Sequence, residues 1–228
     1  MVRLVVLLLL CAVPARADYV LNNLRFTLWH EAGHAVIDQM DVPIRGPEEA
    51  IADGFALMLA ARLLGPDEMA QLLSDVAEQA RRDAVDEVFD AWSPYMPGAQ
   101  RVAWLICVGY GLSPSARPLA RALGLPPQKE SHCLDAARRI TGGWDEILAA
   151  QGPHDGSTSF RAYGYDRTLR LLQEDLLRLN RTIRLPRQVP VVVERCGEDN
   201  AFYYPEEEEI VFCEEMLPAL KARRTKTP

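Results

Sequence analysis

The sequence predicts a mainly helical α+β fold with a small antiparallel sheet contributed by the C-terminal third. Three observations predict it. From residue 24 to about residue 150 the chain reads as successive helices separated by Pro- and Gly-containing breaks. Residues 189–194 are a β-branched run. Residues 202–204 and 210–212 flank the acidic stretch 206–209, as the arms of a hairpin flank a solvated turn.

At the N-terminus, Arg3 precedes an apolar run over 4–13 and then Pro14-Ala15-Arg16-Ala17. This is the pattern of a signal peptide over 1–17, with Ala15 and Ala17 in a small-residue cleavage site before Asp18. The run is far shorter than the roughly 20 apolar residues of a membrane-spanning helix. The mature chain is therefore expected to be secreted or periplasmic, with no stable membrane insertion after cleavage. Leu10 stands before Cys11 where a lipidation signal has a small residue, which argues against a lipid anchor.

Removing 1–17 deletes Arg3 and Arg16 and no acid, so the formal net charge of −7 becomes −9. A chain this acidic is a poor partner for nucleic acid. Its length and apolar fraction suit one core, hence a single domain over 18–228, with a helical part to residue 150 and a helix-plus-hairpin part after it. Cys107, Cys133, Cys196 and Cys213 survive processing. An even number in an exported chain points to disulfides, and proximity favours Cys107–Cys133 with Cys196–Cys213. A cysteine-type zinc site is the rival, disfavoured by the lack of any Cys-x-x-Cys pair.

In chain order, Asn22 or Asn23 can cap a helix over about 24–40, and 41–46, with Pro43, reads as a turn. Pro47 suits the first turn of a second helix, Glu48 and Glu49 favour its positive end, and Gly65-Pro66 stops it. Residues 67 to about 92 alternate apolar and charged positions at helical spacing. After a loop over 93–98, shorter helices are expected over 99–112, 114–123, 129–140 and 144–150. Residues 151–164 read as an irregular crossing and 166–181 as an amphipathic helix.

The first of these helices carries His30-Glu31-Ala32-Gly33-His34. Histidines four apart stack their imidazoles on one helical face and can grip one ion. Glu31, one step round, is placed to reach a metal-activated water as general base, the arrangement of His-Glu-x-x-His zinc hydrolases. Leu28, Val36 and Ile37 can anchor the core, and Gly33 and Ala32 keep bulk away from the metal side. A catalytic zinc needs a third protein ligand and an open position. Glu49 on the next helix is the expected ligand, and Asp53, one turn on, is expected to accept from a ligand imidazole's second nitrogen. For the oxyanion, Tyr110, His132, His154, Tyr163 and Tyr165 are unranked candidates, and Trp29 reads as core.

A third histidine ligand is excluded, because Ile37 and Met40 stand where the longer motif needs Gly and His. His-Glu-x-x-His followed by Glu-x-x-Ala-Asp resembles the gluzincin branch of zinc peptidases. The chain is more closely similar to a bacterial family of metallopeptidase domains of unknown substrate. The resemblance covers residues 30–55, more loosely 107–148, and 184–217 through Cys196-Gly197, Asn200-Ala201-Phe202-Tyr203 and Pro205. It implies a zincin-like fold and a peptide or protein substrate. The Asn-Ala-Phe-Tyr segment here follows the metal helix instead of preceding it, an apparently permuted order that would allow an oligomer if the fold were completed between molecules. The expected function is hydrolysis of peptide bonds by an exported zinc enzyme. A non-catalytic binding module with a structural or degenerate zinc site is the alternative, and it would have no need of Glu31.

Overall fold

The computed structural model describes residues 19–85, 87, 88, 90, 92, 96–152 and 156–225. The expected signal peptide, Cys11 and His154 lie outside the described residues. Helix α1 (Tyr19–Gln39) runs through the middle of the fold and is buried along nearly its whole length. Three of its buried polar residues near the N-terminal end are partnered, as a low-dielectric interior favours. Asn22 Nδ2 donates to Asp75 Oδ2 at 2.6 Å, Asn23 Nδ2 to the Tyr19 carbonyl at 2.9 Å, and Arg25 Nε to Asp175 Oδ1 at 2.7 Å. Asn22 and Asn23 are therefore helix-interior residues and not caps. Both amides find their partners inside the helix or across the core.

Helices α2 (Glu48–Leu63) and α3 (Pro66–Asp83) pack against α1, α4 (Gly98–Leu112) packs on α2 and α3, and α5 (Arg117–Ala122) and α6 (Glu130–Ala150) pack on α4. Short 3-10 turns precede α5 and α6. Helix α3 ends well before the expected residue 92. Past Asp83, Val85 and Val88 are 77% and 88% exposed, so the described residues there offer no buried face to sustain further turns. Helix α6 runs without a break through Thr141-Gly142-Gly143, where two helices were expected. Cys133, Ala136, Ala137 and Trp144 keep one stripe of it buried, and the Trp144 ring lies 4.4 Å from Phe55 of α2. The burial outweighs the roughly 1 kcal/mol that each glycine costs a helix.

The disulfide Cys107–Cys133 joins α4 to α6, and Cys196–Cys213 closes the loop before the hairpin; these are the two pairings expected. Beside the first, a Cβ on Gly111 would collide with the Cys133 carbonyl, so only glycine fits that crossing. Among the described residues no helix is long and apolar enough to cross a membrane.

The C-terminal third adds β1 (Phe160–Ala162), α7 (Arg167–Leu171), α8 (Gln173–Thr182), β2 (Val189–Glu194), β3 (Ala201–Tyr204), β4 (Glu209–Cys213) and α9 (Met216–Thr225). The fold is α+β as expected, but the sheet is mixed. Strands lie in the order β1-β2-β4-β3, with β1 and β2 parallel, β2 and β4 parallel, and only the β3–β4 hairpin antiparallel. The reason is the connections. Helices α7 and α8 carry the chain back to the starting end before β2, the crossover a parallel pair requires, and β4 inserts between β2 and β3. Strand β1 lies in the stretch read as irregular, and α9 was not expected.

Candidate metal centre and cleft

The site begins with the close crossing of α1 over α2. A Cβ on Gly33 would stand 3.1 Å from Phe55 Cδ1 and 3.3 Å from Ala52 Cα, inside ordinary carbon contact. Gly33 therefore lies at the helix–helix contact and not, as expected, on the open side of the site. Gly46, at φ +128°, takes the chain through the turn between the helices in a conformation that favours glycine.

This crossing sets His30 and His34 of α1 against Glu49 and Asp53 of α2. One donor atom from each of His30, His34 and Glu49 lies within 4.8 Å of the other two. The two Nε2 atoms are 3.1 Å apart, and Glu49 Oε2 is 3.1 Å from His30 Nε2. Behind them, His30 Nδ1 is 2.9 Å from Asp53 Oδ1 and His34 Nδ1 is 2.8 Å from Glu48 Oε1. A carboxylate can only accept, so in the neutral rings each Nδ1 carries the proton and each Nε2 presents a lone pair. Two lone pairs and a carboxylate converging on one point repel unless a cation lies among them. The donor set, two imidazoles and one carboxylate, is one that zinc takes at a catalytic site.

The electrostatics carry the same sign. Burial would lower the His30 ring, but the hydrogen bonds to Asp53 and Glu49 and the Asp53 charge override it and push it up to about 10. Burial likewise works against a rise at His34, which is nonetheless raised by its bonds to Glu49 and Glu48. Glu49, which burial would raise, is brought down to about 2 by its bonds to His30 and His34 and by their charges. Asp53, against the same penalty, is held well below the usual carboxylate range by the Arg101 charge and the His30 bond. The cluster thus stabilises added positive charge at the ring nitrogens. Glu31 behaves differently: burial raises it, and the pull of His30 and His34 does not undo the shift. A carboxylate raised in this way is better matched to proton transfer near neutral pH.

His30, Glu31, His34 and Glu49 all line a cleft of about 490 Å³. Its walls come from both halves of the chain: Phe26 and Thr27 of α1, Val76 and Gln79 of α3, Arg101 and Leu105 of α4, Asn200 to Tyr203 of the hairpin, and Met216, Leu220 and Arg223 of α9. The hairpin reaches α1 within one chain. The Tyr203 hydroxyl donates to Asp38 Oδ2 at 2.7 Å.

A family model described as "Putative metallopeptidase" matches residues 12–148 and 167–227. The chain belongs to this family. Neither the curated proteins nor the solved structures give a match. Membership in a metallopeptidase family implies a metal ion, and His30, His34 and Glu49 are a cluster in this chain able to hold one. The other such grouping, Cys196, Cys213 and Glu215, has its two sulfurs bonded to each other, which leaves no thiolate for a metal.

Several residues of the site were not foreseen. Arg101 grips Asp53 with a fork, Nε to Oδ2 at 2.9 Å and Nη2 to Oδ1 at 2.8 Å. Its signal was present, since it is the one charged residue of α4. Glu48, read as a favourable charge at a helix start, also holds His34. Of the oxyanion candidates, Tyr110 bonds to Glu130, His132, Tyr163 and Tyr165 are exposed, and none of the four lines the cleft. Trp29 is core, fully buried.

Proposed function

We propose that this protein is an exported zinc peptidase that cleaves peptide or protein substrates, with His30, His34 and Glu49 as metal ligands and Glu31 as general base. The observation that carries the reading is the convergence of His30 Nε2, His34 Nε2 and the Glu49 carboxylate, with both Nδ1 atoms tied to carboxylates. Bound zinc would supply Lewis acidity, polarising the scissile carbonyl and bringing the pKa of its water toward about 7. Glu31 takes a proton from the attacking water on a carboxylate oxygen and passes it to the leaving amine nitrogen. Asp53, itself fixed by Arg101, keeps the His30 proton on Nδ1, and Glu48 does the same for His34. Export is supported by the N-terminal pattern over 1–17 and by two disulfides, which persist in oxidising compartments. On this reading the protein acts outside the cytoplasm.

The test is metal content by mass spectrometry of the purified mature chain, beside His34→Ala and Glu49→Ala, with Glu31→Gln assayed on a denatured protein. The expected result is about one zinc per chain, lost in both ligand variants and kept without cleavage in Glu31→Gln. Chelation should stop cleavage and lower the thermal midpoint, and zinc should restore both. Stoichiometric zinc with no cleavage by the wild type would favour a binding module, and a chain that takes up no zinc would end the proposal.

A further inference from the structure

The metal-site residues occupy one part of the cleft, and two helical stripes shape another. Val76, Gln79, Ala80 and Asp83 line it from α3, and Met216, Leu220 and Arg223 line it from α9. Positions three, four and seven apart share one face of a helix, so each helix turns a single stripe to the cleft. Each stripe begins apolar and ends in a charge. Val76, Ala80, Met216 and Leu220 are buried, as is Leu105 of α4, which lines the same cleft. Apolar side chains gathered in this way around a concavity make a floor for an apolar group.

The charged ends of the two stripes approach each other. Arg223 Nη1 lies 2.6 Å from Asp199 Oδ2, in the loop before β3, and Arg223 Nη2 lies 4.0 Å from Asp83 Oδ1. The first is a hydrogen-bonded ion pair, and the second is an ion pair without a hydrogen bond. Asp83 Oδ1 accepts from Gln79 Nε2 at 2.7 Å, and Gln79 Oε1 accepts from the Tyr19 hydroxyl at 2.5 Å. A line of polar contacts thus runs from the start of α1 through α3 and α9 to the hairpin. Gln79, Asp83, Arg223 and Asp199 all line the cleft, so this line bounds it beside the apolar floor.

We propose that the part of the cleft between α3 and α9 is a subsite for one apolar side chain of an extended peptide, and that Arg223 is the specificity-determining residue that closes it. The inference rests on the peptidase reading above. Burial on the floor rewards each added methylene. The clasp sets the opposite limit, since a side chain too large for the space has to part Arg223 from Asp199, and selection by such a barrier needs no contact with the preferred substrate. The disulfide Cys196–Cys213 and the bond from Gly197 N to Glu215 Oε1 at 2.9 Å hold the loop before β3 independently. Opening the clasp should therefore leave the hairpin folded.

The test is kcat/KM on peptides in which the residue on each side of the scissile bond is varied in turn from Ala through Val, Leu and Phe to naphthylalanine. On one side the wild type should favour Leu over Ala about tenfold, the lower end of what an apolar pocket gives, and should discriminate against naphthylalanine. Arg223→Ala and Asp199→Ala should each raise naphthylalanine relative to Leu about tenfold, with zinc content unchanged. The double variant should do no more than either single, because the two groups act through one pair. Asp199→Glu, which keeps a carboxylate for Arg223, should retain the wild-type order. A clasp that only supported the fold would lower every peptide alike, so equal losses across the series would overturn the inference, as would a wild type that prefers Lys or Glu on both sides. Calorimetric binding of the same peptides to zinc-loaded Glu31→Gln needs no turnover and should show the same order, shifted in the same direction by Arg223→Ala. A wild type that cleaves nothing while these affinities keep their order would count against the peptidase reading alone. Cleavage with an unshifted order in Arg223→Ala would count against this inference alone, and no affinity for any peptide of the series would overturn it.

Discussion

Asp53→Asn removes a charge from behind His30 while leaving its shape. Asp53 is 2% exposed at the side chain and serves three donors: His30 Nδ1 at 2.9 Å, Arg101 Nε at 2.9 Å and Arg101 Nη2 at 2.8 Å. An asparagine can still accept from His30 through its oxygen. Its NH2 group would then replace Oδ2 and face Arg101 Nε, donor against donor. Breaking a fully buried pair costs about 3–5 kcal/mol. Arg101, however, is 37% exposed, so water recovers part of its charge and the stability loss should be nearer 1–2 kcal/mol, as an order of magnitude. At the metal, an amide is a weaker partner than a carboxylate for the Nδ1 proton, so His30 becomes a poorer donor and zinc affinity should fall about 10–100-fold. That is about 1.4–2.8 kcal/mol of binding free energy. Competition titration against a chromogenic chelator measures the affinity, and chemical denaturation of the zinc-free protein measures the stability. A folded Asp53→Asn that holds zinc as tightly as the wild type would refute the view that Asp53 tunes His30.

Gly33→Leu should destabilise the fold by about 1–3 kcal/mol through overpacking and reduce zinc occupancy, since the new side chain presses α2 away from α1; thermal melts with metal analysis check both. Arg25→Ala should cost about 3 kcal/mol: Asp175 Oδ2 already lacks a partner, and Arg178 at 3.0 Å would be the remaining cation on Oδ1. Urea unfolding reads that loss directly. Replacing Cys196 and Cys213 together with serine frees a loop whose ends are 17 residues apart, which should lower stability by about 3 kcal/mol while zinc stoichiometry stays the same.

What the sequence made legible were short-range patterns. Histidines four apart, with a carboxylate pair after a turn, need only two helices and a tight connection to meet, and both were readable. The disulfide partners were readable because each pair is close in sequence. Arg101 escaped because its partner is 48 positions away and only the α2–α4 packing joins them. The buried ends of Asn22 and Asn23 escaped for a similar reason: an asparagine near a helix start looks like a cap until Asp75, 53 positions on, is known to lie beside it. The sheet was misjudged in pairing and not in location, because a strand's run of β-branched residues says nothing about which neighbour it will find. Helix α9 was missed because its polar last turn and short length leave no clear periodicity.

Helix α1 is at once the centre of the core and the floor of the cleft. Most natural binding clefts divide these duties, with a scaffold below and exchangeable loops above. Here a substitution on α1 aimed at altering substrate choice would disturb packing on nearly every side. The adaptable parts are the hairpin, α4 and above all α9, which edges the cleft from the chain terminus through Met216, Leu220 and Arg223. A chain truncated before Met216 would retain His30, Glu31, His34 and Glu49 yet lose the part of the cleft wall that Met216, Leu220 and Arg223 supply. Diversity in what such a protein accepts is cheapest to acquire at its C-terminal end, far in sequence from the residues that define its chemistry.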